Sequence, residues 1–227
     1  MALDISRIRA ILFDIDGTLS DSDDHLVARL EWLLTWPLFF LSTEHRHAAA
    51  RWLVMALESP GNFIYSQADR FDLDSLFIQM LNRRSRSRSD KPREYWIISG
   101  AREMLAALAP HFPLGVVSAR GERSSLAFLD QFTLRGFFRV VVTSQTCRYT
   151  KPFPDPLLYA AERLGVDPRE CLMVGDTTVD MRAARLAGMQ ALGVLCGFGR
   201  EKELRRAGAH LILPTVADLL TLPGLLP

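Results

Sequence analysis

Two pairs of carboxylates stand where a cation would be useful. Asp14 and Asp16 lie one residue apart in "ILFDIDGTLSD" (11–21), and Asp176 and Asp180 lie in "GDTTVD" (175–180). Like charges this close repel, and a bound cation turns that repulsion into coordination. An all-oxygen donor set without His or Cys is what Mg2+ takes, keeping several waters and bridging carboxylates to a substrate phosphate. Asp180 follows Asp176 by four residues, so it can face the same side once a helix has started. Each pair has a plainer account too. Acidic–glycine turns commonly follow strands, and Asp is favoured at a helix N-terminus as a cap and dipole partner. Neither account explains why both acidic clusters fall where an apolar run ends.

Two further residues complete a phosphate-sized set. Ser118 closes the run "LGVV" and can donate to a phosphate oxygen, although a serine there is otherwise an ordinary helix cap. Lys151 sits in "TKPFPDP" (150–156) among Pro152, Pro154 and Pro156. A lysine beside prolines is usually exposed, yet these prolines stiffen the entry to a helix and would hold the ammonium in a defined place.

The elements that must position these groups alternate in type. "AILFDI" (10–15), "FPLGVVSAR" (112–120), "FFRVVVTSQ" (137–145), "CLMVGDT" (171–177), "ALGVLCG" (191–197) and the weaker "HLILP" (210–214) read as strands, continuous apolar runs suited to burial on both faces. Helical patterns separate them over 99–110, 122–132, 155–165 and 177–188. Ser99 is placed to cap the first helix, and Gly165 and Gly188 to close the third and fourth in a left-handed conformation. Repeated strand–helix–strand units predict an α/β fold, a Rossmann-like parallel sheet with helices on both faces and right-handed crossovers. Ligands of such sheets gather outside the strands' carboxyl ends, where Asp14, Ser118 and Asp176 all fall.

Residues 21–93 interrupt the alternation. Apolar residues recur there at helical spacing, as in Leu26, Leu30, Leu33 and Leu34, or Leu73, Leu76, Phe77 and Met80. A helical insertion follows from this, with Trp32, Trp36 and Trp52 as its core residues. The charge run "NRRSRSRSDKPRE" (82–94) reads as a solvated connection back to the core rather than an RNA-seeking stretch.

Composition narrows the function. Of 227 residues, 48% are apolar and 23% charged with net charge +1, a globular balance without the field that nucleic acid, membrane or acidic partners call for. Three widely spaced cysteines, Cys147, Cys171 and Cys196, fit neither a disulfide framework nor a zinc site. His45 and His47 would face different ways on a helix and add no zinc site. The N-terminus lacks a signal-peptide pattern, and the longest apolar stretch, "WLLTWPLFFL" (32–41), is interrupted by Pro37 and falls short of the ~20 residues of a membrane span. A cytoplasmic protein, monomeric or a small homo-oligomer, is the expectation.

"FDIDGTLSD", "VVSA", "TKPFPDP" and "VGDTTVD" appear in the order and rough spacing of the four motifs of the haloacid dehalogenase-like hydrolase superfamily. The chain resembles its phosphoglycolate phosphatase and β-phosphoglucomutase-like branch, with 1–20 and 94–227 as the α/β core and 21–93 as a C1-type helical cap. The resemblance implies that Asp14 is the nucleophile forming an aspartyl-phosphate and Asp16 the general acid and base. It implies Mg2+ held by Asp14, the main-chain carbonyl of Asp16 and Asp176, with Asp180 ordering the metal or its waters. Ser118 and Lys151 would serve in catalysis by binding the transferring phosphoryl oxygens, with Gly17 and Ala119 in the phosphate-binding loops. An acid at position 16 points to phosphoester rather than halide chemistry, because a halide needs no proton. The second motif departs from the family where Ala119 and Arg120 follow the serine, and Arg120 is read as a surface residue in preference to a substitute ligand. The implied activity is hydrolysis of a small phosphorylated metabolite. A phosphomutase of the same fold and a non-catalytic binder are the alternatives.

Overall fold

The computed structural model describes residues 2–21 and 95–226. The chain divides into two units, Met1–Asp21 with Asp90–Pro227 and Ser22–Ser89, and the first is the one described. The helical insertion expected over 21–93, its tryptophans and the Arg/Ser-rich run 82–94 lie, Asp21 apart, outside the described residues.

Six strands form one parallel sheet: β1 (Ala10–Phe13), β2 (Leu114–Val117), β3 (Phe138–Val142), β4 (Cys171–Gly175), β5 (Gln190–Val194) and β6 (Leu211–Leu213). Their order is β3-β2-β1-β4-β5-β6, so β1 is central and the order reverses around it. The helices among the described residues are α1 (Ala101–Leu108), α2 (Glu122–Gln131), α3 (Asp155–Leu164), α4 (Thr178–Leu186) and α5 (Glu201–Ala207). No described helix is long and apolar enough to cross a membrane.

The alternation of side chains along each strand explains the layers. Ile11 and Phe13 of β1 join a cluster with Met104 and Leu105 of α1 and Phe128 and Leu129 of α2. Ala10 and Leu12 point into a second cluster with Leu157 and Ala161 of α3, Met181 of α4 and Leu204 of α5. With both faces covered, β1, β2, β4 and β5 are buried throughout, which is why they read as unbroken apolar runs. Strand β3 lies at the sheet edge and is largely half-buried, with Arg139 exposed.

The expected helix ends are found in part. Gly165 closes α3 at φ 70°, and Gly188 follows α4 at φ 74°. Ser99 does not cap α1. Gly100 occupies the N-cap position at φ 77°, with no side-chain hydrogen bond there. Helix α5 has no counterpart in the sequence reading, because seven residues give too short a periodic pattern to stand out.

Candidate active site

Register sets the site. Phe13 pairs with Val116 on one side and Val174 on the other, and the Asp14 amide donates to the Val174 carbonyl at 3.0 Å. The central strand therefore delivers Asp14 beside the end of β4, from which Asp176 follows. Among the described residues, Asp14, Asp176 and Asp180 form a buried acidic group whose ligand oxygens all lie within 4.8 Å of one another. The two acidic clusters, 162 residues apart in sequence, meet at the carboxyl end of the sheet.

Local backbone makes room for Asp176. Gly17 is at φ 70°, and a Cβ there would run into Asp176 Oδ2, as would one on Gly197. The Phe198 amide donates to Asp176 Oδ2 at 2.8 Å, and Thr18 Oγ1 donates to Oδ1 at 3.3 Å. Sequence reasoning missed Thr18, Gly197 and Phe198. The visible signal for the last two is the glycine-x-glycine "GFG" that follows β5.

Asp180 is the helix cap of the plainer account and is also part of the buried acidic group. Its Oδ2 accepts from Thr177 Oγ1 at 2.6 Å and the Thr177 amide at 3.1 Å, completing a capping box on α4. Its Oδ1 accepts from Lys151 Nζ at 2.6 Å. Lys151 also reaches Asp14 Oδ1 at 2.9 Å, so the ammonium is held between two carboxylates, and the plainer account of an exposed proline-flanked lysine does not apply. It stands just ahead of α3, which begins with Asp155 and Pro156.

Ser118 and Ala119 follow β2 at the same end of the sheet. Ser118 is buried, its amide donates to the Val142 carbonyl at 2.9 Å, and its Oγ accepts from the Arg120 amide at 3.1 Å. It does not cap α2, whose N-cap position is Gly121. Ala119 is exposed. Arg120 is not the surface residue expected. Its side chain is 12% exposed, and its guanidinium bonds the Asp16 carboxylate, with Nε 2.7 Å from both oxygens and Nη2 on Oδ1. A lone arginine in a polar run carries no sequence sign of a partner 104 residues away.

Charge decides what this arrangement can hold. When ionised, four carboxylates face one ammonium and one guanidinium, leaving two negative charges, the complement of one divalent cation. Like charges at about 4 Å repel by roughly 4 kcal/mol even at an effective dielectric constant of about 20. Burial first, against the pull of Lys151 and with the push of Asp180 and Asp16, raises the Asp14 carboxyl from 3.8 to about 7. Burial, then Asp180 and Asp14, likewise hold Asp176 well above the usual carboxylate range against the pull of the Phe198 amide. Burial works against the Lys151 ammonium, but Asp14 and Asp180 outweigh it and raise its pKa. An all-carboxylate pocket with surplus negative charge fits a hard divalent cation.

Comparison with known proteins finds phosphatases and hydrolases over nearly the whole chain. The chain is 30% identical over 239 aligned positions to a phosphoglycolate phosphatase of Chromobacterium violaceum, covering 96% of this chain and 97% of that one. It is 28% identical to pyrophosphatase PpaX of Bacillus pumilus, over 96% and 98% of the two chains. Among solved structures, a hydrolase from Pseudomonas syringae is similar at 25% identity and TM-score 0.66, over 94% of this chain and 96% of that one. A haloacid dehalogenase-like hydrolase from Streptococcus pneumoniae shares the fold at 20% identity and TM-score 0.67, over 95% and 98%. A family model described as haloacid dehalogenase-like hydrolase matches residues 11–194, which run from the second residue of β1 to the end of β5 and include every carboxylate of the site. The chain is a member of the haloacid dehalogenase-like hydrolase family.

Proposed function

We propose that this hydrolase is a Mg2+-dependent phosphatase that cleaves a small phosphomonoester through an aspartyl-phosphate on Asp14. The observation that carries this reading is the gathering of Asp14, Asp176 and Asp180, with Lys151 bonded to the first and last, and two negative charges in surplus across the site when all its carboxylates are ionised. Asp14, Asp176, Asp180 and the main-chain carbonyl of Asp16 would hold the cation. When bound, Mg2+ supplies charge neutralisation and polarises the phosphoryl group.

The chain's own residues perform the steps. An Asp14 oxygen attacks phosphorus as the ester P–O bond breaks, and Asp16 gives its proton to the departing alcohol. Asp16 then takes a proton from the water that splits the aspartyl-phosphate, releasing inorganic phosphate and restoring Asp14. Lys151 and Ser118 bind phosphoryl oxygens, and Gly17 and Ala119 form the adjoining loop, so that positioning and charge stabilise a loose transition state. Residues 1–20 and 94–227 are the catalytic domain in this reading, and 21–93 an inserted cap that selects the ester. The hydrogen bond from the Asp21 amide to the Trp96 carbonyl, 2.9 Å, supports an insertion that leaves and re-enters the core at one place.

The test is phosphate release from an aryl phosphate and from a panel of phosphorylated metabolites, with Mg2+, with EDTA, and with Mg2+ restored. Turnover lost in EDTA and recovered on adding Mg2+ is expected. Turnover indifferent to the metal, or none on any ester, overturns the reading. Phosphate returned to the substrate without accumulating free would make the protein a mutase instead.

A further inference from the structure

The geometry points to Arg120 as the positioning residue for Asp16, an inference that rests on the acid–base role proposed for that carboxylate. Asp16 sits on the turn between Asp14 and Gly17 with its side chain 31% exposed. A carboxylate there could turn out to solvent or in toward the acidic cluster of Asp14, Asp176 and Asp180. Arg120 removes that choice. Its Nε lies 2.7 Å from both Asp16 oxygens, and Nη2 bonds Oδ1 and lies 3.4 Å from Ser20 Oγ.

The arginine is itself fixed from several sides. Its amide donates to Ser118 Oγ, and its carbonyl accepts from the Ser144 amide at 2.9 Å. The guanidinium carbon lies 5.3 Å from the centre of the Tyr95 ring and 5.8 Å from that of Phe128. Those two rings meet edge to face at 5.9 Å. A planar fork stacked on aromatic faces is a property of arginine that lysine cannot reproduce.

Two acidic side chains separated by one residue are thereby given separate work. Lys151 holds Asp14 with the acidic group, and Arg120 holds Asp16 apart from it. Arg120 makes two contacts to Asp16 Oδ1 and one to Oδ2, so both oxygens are fixed in place while Asp16 gives and takes its proton. In the first step that proton passes to the departing oxygen as the Asp14–phosphorus bond forms and the ester bond breaks. In the second, water supplies it back, and Arg120 gains and loses nothing.

The test compares single-turnover release of phenol from phenyl phosphate with that of nitrophenol from p-nitrophenyl phosphate, because the poorer leaving group depends more on the proton. Arg120→Gln, which keeps much of the stem, should slow phenyl phosphate by ~10²-fold and the nitrophenyl ester by less than ~10-fold, following the size of general-acid effects. Arg120→Lys keeps the charge without the fork and should show the same split in smaller measure. Asp16→Asn is the reference. Equal losses on both esters in the Arg120 variants, beside a split in Asp16→Asn, overturn the positioning role and leave the phosphatase reading intact. A lysine variant indistinguishable from the parent also overturns it. Equal losses in Asp16→Asn itself overturn the acid–base reading beneath the proposal.

Discussion

Asp14 is placed where its charge is useful to chemistry and harmful to folding. Burial and the neighbouring carboxylates favour its protonated form, and Lys151 at 2.9 Å opposes them without prevailing. The two effects should separate in Asp14→Asn. Turnover of that variant is expected to fall at least ~10³-fold, as for other residues that act as a covalent-catalysis unit. Its metal-free stability at neutral pH should equal or exceed the parent's, because one of the repelling charges is gone. Single-turnover kinetics and urea unfolding in EDTA measure the two, and near-normal turnover would exclude the covalent route. The place of Asp14 at a strand end was legible from its own run of sequence, and the second acidic pair at another strand end is what set it apart from an ordinary turn. The engagement of Arg120 was not, because nothing local distinguishes a paired arginine from a solvated one.

At the scale of elements, the start of α4 carries more than a helix. The capping box between Thr177 and Asp180 satisfies the first turn and also fixes the carboxylate that holds Lys151. Thr177→Ala should destabilise the protein by about 1 kcal/mol, the usual effect of losing a cap. Because Asp180 Oδ2 loses its 2.6 Å partner, metal affinity should fall as well. Thr177→Ser, which keeps the hydroxyl, should restore both. A shift in urea midpoint without a change in slope, together with Mg2+ titration, checks this. If affinity is unchanged, cap and site are independent. Caps at this level read unevenly from sequence. Gly165 was foreseeable because a left-handed residue must end the helix. Ser99 was not a cap because Gly100, in a left-handed conformation, takes the entry to α1.

For the molecule as a whole, the site ties stability to pH and to metal. A carboxyl whose pKa rises from 3.8 unfolded to about 7 folded binds more protons in the native state between those values. Stability then falls as pH rises: the contribution is fully present below about 3.8 and lost on passing about 7. The slope for one such group reaches at most about 1.4 kcal/mol per pH unit, and Asp176, shifted in the same direction, acts with it. In EDTA, the urea midpoint should drop between pH 5 and pH 7.5 (roughly the span over which these groups release protons). Added Mg2+ should reduce or reverse the drop, since it binds the deprotonated carboxylates. Asp14→Asn should flatten the metal-free curve. A parent curve that is flat in EDTA would mean the acidic group carries no surplus charge.

Periodicity and strand-end chemistry determined by themselves that this chain makes a parallel α/β sheet and which carboxylates end its strands, because both are properties of residues near in sequence. They could not tell a helix cap from a lysine anchor at Asp180, or an exposed arginine from the clamp on Asp16. Those distinctions depend on groups 29 and 104 residues away, and the strand order that sets β1 between β2 and β4 brings them together. Tertiary structure decided the partners because electrostatic contacts are set by distance in space, which a local pattern does not encode.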